Sequence, residues 1–105
     1  RGIAIGSAKR SPALPDLPTV AEQGLPGFDV SAWNGILAPR GLPKPLVTKL
    51  NREFNKVNDA ADVKDKALAQ GTELESWTPE QFGAFLAAQT EKWVKVAKAA
   101  NMRAD

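Results

Sequence analysis

Proline and glycine are distributed unevenly along this chain, and their distribution constrains the fold more than any other feature. All but one of the 8 prolines and all but two of the 8 glycines lie within the first 45 residues. Each proline restricts its own φ and moves the preceding residue away from the helical region. The sequence therefore predicts a front part of loops and extended segments, followed by a helical back part.

Strands and helices are predicted from the spacing of the apolar residues. Strands are expected at residues 3–7, at 28–39 with an interruption at Gly35, and at 72–76. Residues 3–7 are apolar on both faces, as in a buried parallel strand. Helices are expected at residues 19–24, 43–57, 60–70 and 78–101. With the brief first helix counted as part of the Pro-rich loop, the order is β-loop-β-α-α-β-α, which is an α/β architecture.

Start and stop signals support the helices of the back part. Thr78 to Gln81 (TPEQ) form a capping box, with Trp77 and Phe82 at the two staple positions around it. Asn101 is expected to end this helix in the left-handed conformation. Asp59 is expected to start the preceding helix.

The composition argues against catalysis. The chain contains no Cys and no His, which removes thiol nucleophiles, imidazole bases, disulfides and the usual zinc sites. No phosphate-binding glycine motif and no recognisable pair of catalytic carboxylates occur. A net charge of +2 without a basic stripe does not favour nucleic-acid binding. The sequence therefore predicts no enzyme, no catalytic residue, no metal and no cofactor.

Two positions in the front part could contact a ligand. Trp33 lies on the face opposite Phe28 and Val30 and adjoins Asn34, so it could line a cleft, although the pattern favours core packing. Ser7 is at the end of the first predicted strand, where a hydroxyl can bind an anion, although the pattern favours turn formation. The residue pattern alone leaves both alternatives open.

Several short segments together resemble one known family. They are SAKRSP at 7–12, PDLPT at 15–19, WNG at 33–35 and LAP at 37–39. The chain resembles the C-terminal part of the tripartite tricarboxylate transporter receptors, the Bug-type periplasmic solute-binding proteins. The resemblance covers essentially the whole chain.

This resemblance implies a two-lobed, type II-like periplasmic-binding-protein (flytrap) fold about three times longer than this chain. It implies a receptor that captures a small organic acid, either a di- or tricarboxylate or an acidic amino acid, and delivers it to membrane permease subunits. It assigns residues 1–27 to the end of the second lobe and residues 28–105 to the crossover strand and C-terminal helices of the first. It also implies a periplasmic location and substrate contacts from Ser7, Trp33 and Asn34.

Other expectations concern completeness and assembly. A start at Arg1 rather than Met predicts a fragment of a longer exported protein. Unpaired strand edges then predict that the fragment self-associates as a homodimer. The alternative function is a stand-alone α/β protein-interaction module with no small-molecule ligand. Nothing in the sequence names the carboxylate.

Overall fold

The back part of the chain is helical, as its residue pattern predicts. A computed structural model describes residues 1–102 and contains α1 at Lys44–Asp59, α2 at Ala61–Ala69 and α3 at Pro79–Ala99. Each helix lies within about two residues of its predicted bounds. Helix α1 contacts both α2 and α3 and so forms the centre of the helical part.

The junction between α1 and α2 differs from the prediction. Asp59 does not start α2; it is the last residue of α1, and extended Ala60 precedes α2 without a side-chain cap. The Asp59 carboxylate instead accepts hydrogen bonds from Lys64 Nζ at 3.1 Å and from Ser76 Oγ at 3.3 Å. An acid at this position therefore ties α2 and the segment after it to the end of α1.

The capping box of α3 is confirmed. Thr78 Oγ1 accepts from the Gln81 N–H at 3.2 Å, and Gln81 Oε1 accepts from the Thr78 N–H at 2.8 Å. Asn101 ends the helix region with a φ of 50°, as expected. Trp77 packs edge-on against Phe85, with 5.1 Å between ring centroids, one turn beyond the staple position.

The three predicted strands do not form a sheet, and the predicted β elements of the order β-loop-β-α-α-β-α are corrected accordingly. Within residues 1–102 the strand pairing consists of one isolated parallel bridge between Ile5 and Thr19. A strand needs a neighbour for its N–H and C=O groups. Segments 28–39 and 72–76 have no such neighbour along their length in the described chain, so neither forms a strand.

The brief helix expected at residues 19–24 is a series of turns. Its first residue nevertheless makes cap-like bonds: Glu22 N–H donates to Thr19 Oγ1 at 3.1 Å, and Thr19 N–H donates to Glu22 Oε2 at 2.8 Å. Gly24 follows with a φ of 110°, which ends the turns. Proline at positions 18 and 26 confines the segment to this length.

The described residues contain no fully buried apolar side chain; Thr19 is the buried residue, 2% exposed. The accessible surface is 8734 Å², whereas a folded 11.2 kDa monomer exposes about 5,700 Å². The radius of gyration is 16.8 Å, against about 13 Å for a compact domain of this length. The apolar side chains therefore lie on the surface, and no other part of residues 1–102 covers them fully.

Residues 1–102 contain neither a candidate membrane-spanning helix nor a candidate metal site. No helix there has both the length and the apolar character that a membrane span requires. No cluster of three or more acidic, cysteine or histidine side chains there has the arrangement of a metal site.

Candidate functional site

The segment from Ile5 to Ala8 lies between two other parts of the front region. On one side, Ile5 N–H donates to Pro18 O at 2.9 Å, and Val20 N–H donates to Ile5 O at 2.9 Å. On the other side, Val30 N–H donates to Gly6 O at 2.7 Å. These bonds join three stretches that are far apart in sequence and fix the backbone immediately before Ser7.

Gly6 allows the closest of these approaches. A Cβ at this position would lie 2.5 Å from the carbonyl oxygen of Val30, which is shorter than any real Cβ contact. Because the neighbouring atom belongs to the backbone, it cannot rotate away. Glycine at this position thus permits the close approach of the two segments.

Ser7 forms a local turn. Its hydroxyl donates to Lys9 O at 2.7 Å, and the side chain is partly exposed. This arrangement matches the turn-forming alternative of the sequence analysis. No side-chain hydrogen bond within residues 1–102 joins Ser7 to Trp33 or Asn34; the connection runs through the backbone pairing of Gly6 with Val30.

Asp29 anchors this turn, and sequence reasoning missed its role. Its carboxylate accepts from Ala8 N–H at 3.1 Å, and its carbonyl oxygen accepts from Lys92 Nζ on α3. The Lys92 ammonium also lies 5.8 Å from the centroid of the Trp93 ring. The contacts span 21 and 63 residues of sequence, so no spacing pattern could indicate them.

A charged pair closes the other side of the turn. Arg10 Nε donates to both carboxylate oxygens of Glu22, at 3.0 and 3.1 Å, and Arg10 also donates to Pro15 O at 3.3 Å. The hydrogen bond from Arg10, followed by that from Thr19 N–H, holds the pKa of Glu22 below its ordinary value. The same hydrogen bond raises the pKa of Arg10. The Arg10 guanidinium is therefore paired with the carboxylate of Glu22 in the same chain.

Trp33 belongs to an aromatic cluster formed by Trp33, Trp77, Phe82 and Phe85. Its ring meets Phe85 at 5.2 Å and Phe82 at 6.0 Å between centroids, both edge to face. Such pairs contribute roughly 0.5–1.5 kcal/mol each beyond area burial. Because 42% of Trp33 remains exposed, one part of the ring packs against α3 and the rest faces outward. The packing and ligand-lining alternatives are therefore compatible.

Gly35 and Asn34 complete this segment. Three atoms of the Phe82 ring would lie 3.0 Å or less from a Cβ at Gly35, so the close approach of α3 requires glycine here. Asn34 lies between this contact and Trp33, with its side chain exposed. The segment therefore presents an amide and an indole edge on a backbone that the aromatic cluster holds.

The geometry supports recognition rather than catalysis. The segment offers an uncharged amide and an indole, the turn at Ser7 carries Lys9, and Lys92 reaches the Asp29 carbonyl oxygen from α3. Amide and N–H donors of this kind suit a carboxylate.

Two solved structures share this fold. One is the periplasmic binding protein BugD, with a TM-score of 0.77 and 36% identity over 95% of this chain and 34% of the BugD chain. The other is R. palustris Rpa4515 with adipate, with a TM-score of 0.77 and 36% identity over 93% of this chain and 33% of that chain. The fold is thus one found in periplasmic binding proteins.

Sequence comparison gives the family. The model of the tripartite tricarboxylate transporter family receptor matches residues 1–102. A UPF0065 protein from the tcbD-tcbE intergenic region of Pseudomonas sp. (strain P51) is 39% identical over 91% of this chain and 29% of its own length. BugT of Bordetella pertussis is 35% identical over 93% of this chain and 30% of its own length. The chain belongs to the tripartite tricarboxylate transporter receptor family.

This result confirms the family resemblance seen in the sequence. Members of this family are solute-binding receptors and not enzymes. The chain spans about 30% of the length of the curated relatives that it matches. Substrate contacts by Ser7, Trp33 and Asn34 stay a prediction.

Proposed function

We propose that this chain is the C-terminal third of a periplasmic receptor that captures a small organic carboxylate and delivers it to the permease subunits of a tripartite tricarboxylate-type transporter. The ligand is a di- or tricarboxylate or an acidic amino acid. The observation that carries this proposal is the match, over 93% of the chain, to a structure solved with adipate.

The uncovered apolar surface supports the assignment to a longer receptor. Along α1 the apolar stripe predicted from the sequence is 40–55% exposed; it comprises Leu46, Leu50, Phe54 and Val57. The accessible surface exceeds that of a compact monomer by about 3,000 Å². The comparisons do not support the homodimer predicted from the sequence, and we assign this surface to contact with the rest of the receptor.

The division into lobes is part of the proposal. Residues 1–27 contribute to the end of the second lobe, and residues 28–105 contribute the crossover segment and the C-terminal helices of the first. The aromatic cluster supports the second assignment, because Trp33 packs there against residues of α3. The bond between Val30 and Gly6 then lies where the two lobes meet.

We assign substrate contacts to Ser7, Trp33 and Asn34. Trp33 and Asn34 are exposed on a segment that glycine and aromatic contacts hold in place. Ser7 begins a turn beside Asp29, where the Ala8 N–H already binds a carboxylate, and the Ser7 hydroxyl is the group that we assign to the ligand. Because Arg10 is paired with Glu22, the proposal relies on neutral donors rather than on a free guanidinium.

Isothermal titration calorimetry on the full-length gene product tests the ligand class. The probes are adipate, succinate, citrate and glutamate, with adipamide and 1,6-hexanediol as uncharged controls of similar length. We expect at least one acid to bind and the uncharged controls to bind more weakly or not at all. Tighter binding of a neutral compound than of every acid would refute the carboxylate assignment.

Asn34→Ala tests the site within the same protein. A hydrogen bond to a charged group contributes about 1.5–3 kcal/mol, so affinity for the acid should fall by roughly ten- to hundredfold. The thermal midpoint should stay nearly constant because the side chain is exposed. Unchanged affinity would remove Asn34 from the site without affecting the family assignment.

A further inference from the structure

Three asparagines lie along one face of α1. Asn51, Asn55 and Asn58 are separated by four and three residues, which places them on the same side of a helix. Their amide groups all donate to backbone carbonyls of the segment before α3. Asn51 Nδ2 and Asn55 Nδ2 reach Trp77 O at 2.8 and 3.1 Å, and Asn58 Nδ2 reaches Glu75 O at 3.0 Å.

These amides take the place of a strand neighbour. The segment at residues 72–78 makes no ladder bonds, so its carbonyl groups need other donors. The Trp77 carbonyl receives two, and Asn55 Nδ2 also lies 3.4 Å from Asn51 Oδ1, which joins the two side chains. The backbone of Trp77 is therefore fixed to α1 by two adjacent side chains.

Trp77 connects this fixed backbone to the candidate ligand segment. Its ring lies 5.1 Å from Phe85, and Phe85 lies 5.2 Å from Trp33, as centroid distances. Both contacts are edge to face, at 66° and 81° between ring planes. Such contacts depend on ring orientation, so a displaced Trp77 changes the packing that orients Trp33.

We propose that Asn51 and Asn55 are positioning residues for the ligand site, because they hold Trp77 and, through Phe85, set the orientation of Trp33. The ligand part of this inference rests on the proposed function, which assigns Trp33 to the carboxylate site. The positioning part concerns the protein alone and can be measured without ligand.

The test compares Asn51→Ala/Asn55→Ala with Asn58→Ala in the full-length gene product. The control removes an amide of the same kind from the same helix face but leaves both bonds to Trp77 O. Single Asn55→Ala is the milder variant if the double variant does not fold, since Asn51 keeps its bond. Incorporated 5-fluorotryptophan reports on each indole by fluorine NMR, and Trp33→Phe assigns the Trp33 resonance.

We expect the Trp33 resonance to shift or broaden in the double variant and to stay unchanged in Asn58→Ala. Affinity for adipate, or for the acid that binds best among succinate, citrate and glutamate, should fall about tenfold in the double variant. It should remain within about twofold of the unmodified protein in the control. An unchanged Trp33 resonance in the double variant, or equal effects of the two variants, would overturn the inference.

The two proposals fail in different ways. A parent protein that binds none of the acids would refute the proposed function. The fluorine spectra would still decide the positioning role: a Trp33 shift specific to the double variant supports it, and the absence of that shift overturns it.

Discussion

Gly6→Ala is expected to destabilise the protein because the added methyl group meets backbone rather than a movable side chain. The new Cβ would lie 2.5 Å from Val30 O, and the two segments must separate by roughly half an ångström to reach the shortest tolerated contact. The hydrogen bond from Val30 N–H to Gly6 O, now 2.7 Å, would lengthen in the same movement.

The expected loss is about 1–3 kcal/mol, the usual cost of overpacking a fitted contact. Restricting the unfolded chain by replacing glycine with alanine offsets roughly 0.4–1 kcal/mol of this. The φ of Gly6 does not lie in the left-handed region, so backbone strain at the new alanine adds nothing to this loss. Because Gly6 immediately precedes Ser7, we also expect weaker binding of the carboxylate ligand.

Urea denaturation of the full-length gene product, followed by tryptophan fluorescence, measures this loss. Gly83→Ala is the matched control, since it lies inside α3 and a Cβ there has no atom within 4 Å. Alanine should stabilise that position by up to about 1 kcal/mol. The reasoning is wrong if Gly6→Ala is as stable as Gly83→Ala.

The remaining predictions concern a close contact, an ion pair and a helix cap. Gly35→Ala should lower the free energy of unfolding by about 1–3 kcal/mol, because its Cβ would overlap the Phe82 ring. A urea midpoint equal to that of the unmodified protein would contradict this. Arg10 holds the pKa of Glu22 below its ordinary 4.5, so the stability from this pair is present above that pH and lost as pH falls through the lowered pKa. Glu22→Gln should therefore make unfolding free energy less dependent on pH below 4.5, and an unchanged dependence would count against the pair. Thr78→Ala should cost about 1 kcal/mol, measured as a lower urea midpoint, and an unchanged midpoint would show that the cap contributes nothing.

The helical part of this fold could be predicted because its signals are local. The capping box at Thr78 links residues three apart, and Asn101 needs only its own backbone conformation to end the helix region. The α1 stripe predicted the helix but not its exposure. Periodicity shows which face is apolar, and it does not show what covers that face.

The strands and much of the site depend on distant partners, and sequence pattern does not reveal these. Segment 72–76 has the pattern of a strand, but its Glu75 carbonyl group accepts from the Asn58 amide of α1 instead of from a neighbouring strand. Asp29 has the pattern of an ordinary surface acid, yet it accepts hydrogen bonds from Ala8 N–H and from Lys92 Nζ. The pattern at Trp33 leaves packing and ligand contact both open, because the exposure of its ring depends on the position of α3.

A crystal structure of the full-length gene product with adipate would locate the carboxylate site. We expect one carboxylate of the acid to contact Asn34 and the turn that begins at Ser7, and the acid chain to lie beside the exposed part of Trp33. If calorimetry shows that another acid binds better, that acid replaces adipate in the crystal. An acid bound away from all three residues would contradict the assignment of the carboxylate site.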